Sequence, residues 1–164
     1  MERLAIYPGT FDPFTNGHLD IVLRSTRFFD KLIIAIATNP KKTPLFSVAD
    51  RTALIHSSIS RMDNIIIDSF EGLVVEYAQS KHSTVIIRGL RAVSDFEYEL
   101  QMALINRRLN QNVDTIFMMP SEEYSFITST AVREIASLGG CVDALVPPPV
   151  KAALLKKFGI VTEI

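Results

Sequence analysis

Residue types that could carry chemistry occur in short segments that follow apolar stretches of the sequence. In the first segment, Tyr7–His18, a β-rich run ends, Gly9 permits a close backbone approach to a ligand, and His18 falls in the first turn of a helical pattern. Free N–H groups and the dipole at a helix start favour a phosphate, and an imidazole there can donate to the same anion. A histidine at a helix start can also serve the helix alone. The segment contains neither a P-loop pattern nor G-x-G-x-x-G, which argues against the two commonest nucleotide-binding turns.

Cationic residues follow two other apolar runs. Lys41 and Lys42 come after the second, and Arg88 and Arg91 flank Gly89 after the fourth. Arginine can hold phosphate through two hydrogen bonds and lysine supplies a mobile point charge. Surface lysines are commonly solvated, and that reading suits Lys41. Two arginines around a glycine are poorly explained by solubility, so we predict an anion site.

A hydroxyl run opens a late helical pattern within Tyr124–Arg133. Capping of the helix would explain one hydroxyl, but Thr128, Ser129 and Thr130 are consecutive. Such side chains and the free N–H groups beside them can cradle phosphates. The sequence shows no Ser-His-Asp or Cys-His arrangement. The pattern therefore favours chemistry in which anions are positioned and their charge is neutralised.

The elements that position these segments alternate between strand and helix. The predicted strands are Leu4–Tyr7, Leu32–Thr38, Ile65–Asp68, Thr84–Arg88 and Thr115–Met119. The predicted helices are Gly17–Phe29, a second capped by Ser47 with Asp50, Gly72–Ser80, Ser94–Leu109, Thr128–Leu138 and Pro149–Phe158, with Asn16 as the expected cap of the first. Such alternation predicts a single Rossmann-like α/β domain over residues 1–164, with a five-stranded, mainly parallel sheet and helices on both faces. Ligands of such sheets bind beyond the carboxyl ends of the strands.

The fourth helical pattern carries two apolar stripes. One consists of Phe96, Leu100, Ala103 and Leu104, and the other of Tyr98, Met102, Ile105 and Leu109. One stripe can cover the sheet, whereas the other needs a second partner. Deep burial within the monomer is one interpretation, and a subunit interface is the one we favour.

Composition limits the partners. The 164 residues include 17 basic and 18 acidic ones, which gives a net charge of −1 and argues against a nucleic-acid binder. The apolar run Leu32–Ala37 is too short to cross a bilayer, so we expect no membrane partner. The single cysteine, Cys141, fits a cytoplasmic protein and reads as a loop or packing residue. His56 and His82 lack a motif and are predicted to be structural or exposed.

Two levels of resemblance follow from these motifs. Gly9–His18 resembles the pattern of the nucleotidylyltransferase superfamily, whose [HT]-x-G-H motif reads Thr15–His18 here. The whole chain resembles the bacterial phosphopantetheine adenylyltransferases, most specifically in Tyr7–His18, in Ile87–Glu99, and in Met119–Ser121 leading into Tyr124–Thr130. That family often has a serine run where this chain has Thr-Ser-Thr, so the hydroxyls are preserved.

The resemblance implies transfer of AMP from ATP to 4′-phosphopantetheine, giving dephospho-coenzyme A and pyrophosphate in coenzyme A biosynthesis. It implies that His18 stabilises the transition state, with Thr10 and Lys42 as further catalytic residues, and that Thr10, Lys42, Val74 and Arg88 bind the acceptor. It also implies an ATP site made of Thr10, Phe11, His18, Gly89, Leu90, Arg91, Glu99, Tyr124, Ser125, Phe126, Ile127, Thr128, Ser129 and Thr130. Mg²⁺ would accompany the ATP phosphates with no dedicated protein metal site, and the assembly would be a homohexamer.

Three alternative functions share part of this sequence pattern. A related transferase could use another acceptor, such as nicotinamide mononucleotide or glycerol phosphate. A nucleotide-binding module without catalysis would need neither His18 nor a second anion site. An aminoacyl-tRNA synthetase shares the [HT]-x-G-H feature, but this chain lacks room for a tRNA-binding domain.

Overall fold

The helices and strands form one layered α/β unit. The computed structural model describes residues 2–41, 43–59, 62–91 and 93–160, the side chains of 93 and 94 excepted. The strands are β1 (Leu4–Gly9), β2 (Lys31–Thr38), β3 (Ile65–Glu71), β4 (Val85–Gly89) and β5 (Asp114–Met118). The helices are α1 (Asn16–Ser25), α2 (Val48–Ser58), α3 (Val74–Ser80), α4 (Val93–Leu109), α5 (Ser129–Ser137) and α6 (Pro148–Phe158), with a 3₁₀ helix at Glu122–Tyr124.

The sheet has the strand order β3-β2-β1-β4-β5, and every pair is parallel. Ile6 of β1 is in register with Ile33 of β2 on one side and Ile86 of β4 on the other. The chain first adds strands outward from β1 towards β3 and then returns to the other side of β1. The connections after β1 and β4 therefore leave in opposite directions and open a crevice at the carboxyl ends of these strands.

Both faces of the central strands are covered, which explains their continuous apolar runs. On one face, Tyr7 and Ile34 join a core with residues of α1, α2, α5 and α6. On the other face, Ile6 and Ile33 pack with residues of α3. The edge strands β3 and β5 alternate more in burial because their outer faces are less covered. These observations confirm the single Rossmann-like domain predicted from the sequence, with a sheet that is entirely parallel.

The first helix begins differently from the sequence prediction. Thr15, not Asn16, is the N-cap of α1, so the predicted cap was wrong by one residue. Asn16 instead attaches the helix start to the loop before α6, since its backbone N–H donates to Leu145 O and its side chain to Ala144 O. The Ser47–Asp50 capping box of α2 is confirmed.

Most of both predicted apolar stripes of α4 is exposed to solvent. Six of the eight stripe residues are exposed, at fractions that reach 61% for Tyr98 and 60% for Leu104. Among the α4 side chains that the structure describes, Glu99 is the buried one, while Met102 and Ala103 are partly buried. The interpretation of α4 as deeply buried within the monomer is therefore wrong. Within the described residues, no helix is both long and apolar enough to cross a membrane.

Candidate active site

The crevice between β1 and β4 contains a cavity of about 480 Å³, within the size range of small-molecule sites. It is lined by the ends of both strands, the β1–α1 loop, the segment before α2, and the start of α5. The predicted residues that line it are Thr10, Phe11, His18, Arg88, Gly89, Arg91, Glu99, Tyr124, Ile127, Thr128, Ser129 and Thr130. Residues distant in sequence therefore meet where strand order predicts a ligand.

The helix cap fixes the tautomer of His18. The Thr15 hydroxyl accepts from the His18 backbone N–H at 3.2 Å, and the Thr15 backbone N–H donates to His18 Nδ1 at 3.0 Å. Because Nδ1 accepts this hydrogen bond, the proton of the neutral ring lies on Nε2. The capping box therefore leaves Nε2–H as the donor that the ring can offer to a ligand.

The surroundings of His18 keep the ring neutral. Its ring stacks on Phe14 with a centroid distance of 5.7 Å and meets the Phe11 ring edge-on at 5.0 Å. Burial, with the nearby charges of Arg91 and Arg88, lowers the pKa of His18 to about 3. A neutral Nε2–H donor can form a hydrogen bond that strengthens as negative charge builds up on a phosphate oxygen. It does so without transferring its proton as a general acid.

Gly9 leaves the space that the ring of Phe11 occupies. A Cβ on Gly9 would lie 2.8 Å from the Phe11 ring, closer than real contacts allow. Phe11 has a φ of +50°, which is rare for a residue with a side chain, and its own side chain is only 2% exposed. The glycine predicted to admit a ligand therefore also admits the ring that packs edge-on against His18.

Arg88 is held by Glu99 at the end of β4. Its Nε and Nη2 donate to the two carboxylate oxygens at 2.8 and 2.6 Å, and Nη1 donates to Pro8 O at 2.8 Å. Burial opposes the charge of Arg88, but the hydrogen bonds and charge of Glu99 outweigh it and raise the pKa of the guanidinium. Glu99 thus fixes the orientation of this cation. Its predicted direct contact with ATP stays a prediction.

Arg91 lies towards the other end of the cavity. Its Nε donates to Asp95 at 3.1 Å, and Nη1 donates to Ile127 O at 3.3 Å. The second contact joins Arg91 to the hydroxyl-rich segment that opens α5. The two arginines that flank Gly89 therefore face different neighbours, as expected if they serve different ligands.

A second cavity, of about 260 Å³, adjoins the first through shared Pro8, Gly9, Thr10, Arg88 and Glu99. Its other lining residues are Ala37, Phe70, Val74, Ile86, Tyr98, Met102, Ala103, Asn106 and Thr115, which are mostly apolar. Val74, predicted to contact the acceptor, thus lies in a mostly apolar chamber that continues beyond Arg88.

Some predicted residues are not brought to the main cavity. Ser125 and Phe126 line a separate shallow depression, and Leu90 donates its backbone N–H to Met118 O. Lys42 lies outside the described residues, while Lys41 is exposed. His56, His82 and Cys141 are exposed, in keeping with their predicted absence from the site.

Sequence reasoning missed three charged residues around the β1–α1 loop. Asp12 and Arg133 line the cavity, and Arg51 lies beneath it with 2% exposure. Asp12 and Arg133 stood inside recognised segments, so their charge was an available signal. Arg51 is a charged residue on a helix, a type that normally faces water, and no motif in its sequence indicates burial.

Comparison with known proteins places this site in a family. The family model described as "Cytidylyltransferase-like" matches residues 6–135. A phosphopantetheine adenylyltransferase of Carboxydothermus hydrogenoformans is 54% identical, over 95% of this chain and 96% of its own length. That of Alkaliphilus oremlandii is 50% identical, over 95% of this chain and 99% of its own. The chain belongs to the cytidylyltransferase-like nucleotidyltransferases and, within them, to the phosphopantetheine adenylyltransferase family.

A solved structure shows the same fold at low sequence identity. A bifunctional NMN adenylyltransferase/ADP ribose pyrophosphatase from Francisella tularensis aligns with a TM-score of 0.73 and 16% identity. The alignment covers 95% of this chain and 49% of that one, so the chain spans about half the length of this neighbour. The neighbour supports the Rossmann-like fold, whereas the family rests on the relatives above.

Proposed function

We propose that this protein transfers AMP from ATP to 4′-phosphopantetheine and releases pyrophosphate, giving dephospho-coenzyme A. The observation that carries the proposal is the neutral His18, whose cap leaves Nε2–H as donor in a cavity that also contains Arg88 and Arg91. The attacking phosphate oxygen is ionised near neutral pH, so no general base is required. Such a reaction needs two anions held in line and charge stabilised at the α-phosphate.

The adjoining cavities suggest where each substrate binds. We assign the acceptor phosphate to Arg88 and Lys42. We assign the pantetheine arm to the chamber that contains Val74, because that chamber is mostly apolar and begins at Arg88. We assign ATP to the side of Arg91 and the hydroxyls of Thr128–Thr130. Thr10 lines both cavities, so it is the residue we assign to the contact between the two substrates.

We propose that Mg²⁺ binds with the ATP phosphates. Among the described residues, no three His, Cys, Asp or Glu side chains lie together as a metal site. In the main cavity, Glu99 pairs with Arg88, and Asp12 accepts from two backbone N–H groups. Because both carboxylates already have partners, we propose that the ion is bound mainly by the nucleotide phosphates. When bound, it would neutralise phosphate charge.

We further propose a homohexamer in the cytoplasm. The exposed apolar side chains of α4, such as Tyr98, Leu104 and Leu109, support self-association, since large apolar patches on soluble chains commonly mark interfaces. The number six comes from the family resemblance. Light scattering at micromolar concentration checks the assembly, and Ile105→Glu should dissociate it. A wild-type monomer would contradict it.

Acceptor competition tests the proposed reaction. The protein is incubated with ATP, Mg²⁺ and 4′-phosphopantetheine, nicotinamide mononucleotide or glycerol 3-phosphate, and the products are identified by mass. We expect dephospho-coenzyme A and pyrophosphate with 4′-phosphopantetheine, and no transfer to the other two acceptors. Transfer to another acceptor would overturn the substrate assignment, and ATP binding without any transfer would favour the non-catalytic module.

A further inference from the structure

The buried guanidinium of Arg51 lies at the start of α2, beneath the main cavity. Arg51 is 2% exposed, and its Nη1 donates to Thr10 O at 2.7 Å. Its Nε donates to Phe46 O at 3.1 Å and more weakly to Ser47 O at 3.4 Å. Within the described part of the chain, no carboxylate lies within 4.0 Å of it as a salt-bridge partner. Burial of a charge whose hydrogen-bond partners are carbonyl groups is costly. The significance of these contacts therefore lies in the parts of the molecule that they join.

Asp12 makes the complementary connection. Its carboxylate is 4% exposed and accepts the backbone N–H groups of Leu45 at 2.7 Å and Phe46 at 2.9 Å. An acid on the β1–α1 loop thus holds the segment before α2, while a base on α2 holds a carbonyl of the β1–α1 loop. We call these reciprocal contacts of Asp12 and Arg51 the loop clamp.

The loop clamp acts on residues that form the walls of both cavities. Thr10 lines both, and Thr43, Pro44 and Leu45 form part of the wall of the main one. The peptide that Arg51 holds leads into Phe11, whose φ of +50° persists only where the surroundings determine it. The clamp therefore sets the separation between the Thr10 loop and the wall formed by residues 43–45.

We infer that Arg51 and Asp12 are positioning residues for AMP transfer, which act through Thr10 and the wall of residues 43–45, because Arg51 is buried beneath the cavity and the Asp12 carboxylate is engaged by the Leu45 and Phe46 amides. This inference rests on the proposed function, in which Thr10 contacts both substrates. In-line transfer depends closely on the separation of the reacting atoms, and a displacement of about 1 Å can cost about 10²-fold in rate. Removal of the clamp should thus slow the transfer step more than it weakens ATP binding.

The control must separate this role from simple support of α2. Ser47→Ala and Asp50→Ala remove the capping box of the same helix, at 3.1 Å between Asp50 N and the Ser47 hydroxyl, and leave the clamp contacts in place. Arg51→Met removes the Arg51 half of the clamp and replaces it with an unbranched side chain. Arg51→Lys keeps the charge but loses the two-sided reach, and Asp12→Asn keeps the shape but loses one acceptor. Each variant is measured for kcat, KM of both substrates, ATP Kd by calorimetry, and Tm.

We expect Arg51→Met to lower kcat by about tenfold or more relative to a capping variant of equal Tm, with ATP Kd changed by less than about threefold. Arg51→Lys and Asp12→Asn should fall between, and they carry the test if Arg51→Met does not fold. A kcat no lower than in the capping variants would overturn the inference, as would an ATP Kd that weakens as much as kcat falls.

Hydrogen exchange distinguishes this failure from failure of the proposed function. The Leu45 and Phe46 amides should be protected in the wild type and lose protection in Asp12→Asn and Arg51→Met but not in Ser47→Ala. Unchanged protection would overturn the clamp whatever the activity. A wild type with protected amides that makes no dephospho-coenzyme A would instead overturn the proposed function.

Discussion

The two ends of the main cavity are built in different ways. At the β1–α1 end, Phe11–Thr15 is entirely buried and the Thr15–His18 capping box is already formed. At the other end, the segment between Ser121 and Ile127 is anchored mainly at its limits. Ser121 donates from its backbone N–H and its hydroxyl to Asp20 at 2.8 and 2.9 Å. Phe126, inside the segment, is 69% exposed.

This difference separates chemistry from recognition. The group proposed to stabilise the transition state is held in position before any ligand binds, so no reorganisation is needed when charge develops. The proposed nucleotide-binding segment instead leaves an aromatic side chain in water, where a ligand can cover it. Changes at the β1–α1 end should therefore affect kcat, and changes at the Ser121–Ile127 end should affect ATP affinity.

The largest expected effect is at His18. His18→Ala should lower kcat by about 10²-fold or more, because one preorganised donor to the transition state is lost. Both substrates should bind with much smaller changes, as measured by calorimetry. The matched control is His56→Ala, which removes an exposed histidine away from the cavity. A His18→Ala enzyme with near-normal kcat would remove this residue from the mechanism.

The two arginines beside Gly89 should sharpen the comparison. Arg88→Met should weaken phosphopantetheine binding by about tenfold or more, the cost of a charge-assisted hydrogen bond to phosphate, and ATP binding by less. Arg91→Met should show the reverse preference. Calorimetric titration of each variant with each substrate measures both.

The Arg88 variant needs its own control. Removal of Arg88 leaves Glu99 buried without its cation, which can destabilise the fold by about 3–5 kcal/mol. The double variant Arg88→Met/Glu99→Gln removes both charges, so a binding defect that persists in it is not caused by a buried, unpaired Glu99. Equal losses for both substrates in both arginine variants would show that the assignment of Arg88 and Arg91 is wrong.

The accuracy of the sequence reasoning differed between these regions for physical reasons. Strands such as β2 were predictable because their apolar runs reflect burial on both faces. His18 and Arg88 could be found because their charge or ring follows such a run. The exposure of α4 was not predictable, because an apolar stripe shows that a side chain needs cover but not what supplies it. Arg51 was invisible for the opposite reason, since a charged residue on a helix normally faces water.

The pH dependence of stability gives a smaller effect at the β1–α1 end. The unfolded His18 ring binds a proton near pH 6.5, whereas in the folded chain burial lowers its pKa to about 3. Between these values the unfolded state holds more protons, so stability rises with pH and is lost as pH falls. Tm should therefore fall from about pH 7.5 to about pH 5 by more in the wild type than in His18→Gln. His56→Gln, an exposed control, should follow the wild type, and identical profiles for all three would contradict the neutral, capped ring.

The smallest expected effect lies at the exposed end, in Phe126→Ala. The ring is outside the main cavity but belongs to the proposed ATP segment, so ATP should cover part of it on binding. Loss of that aromatic contact, worth about 0.5–1.5 kcal/mol, should weaken ATP Kd by roughly two- to tenfold. Phosphopantetheine affinity and kcat at saturating ATP should stay unchanged, because the His18 end is already assembled.

The control for this prediction is Leu138→Ala. It removes a similarly exposed apolar side chain, 81% exposed at the end of α5 and away from the cavity, and should change none of these quantities. An unchanged ATP Kd in Phe126→Ala would exclude the ring from nucleotide binding. A fall in kcat comparable to that of His18→Ala would contradict the separation between the two ends.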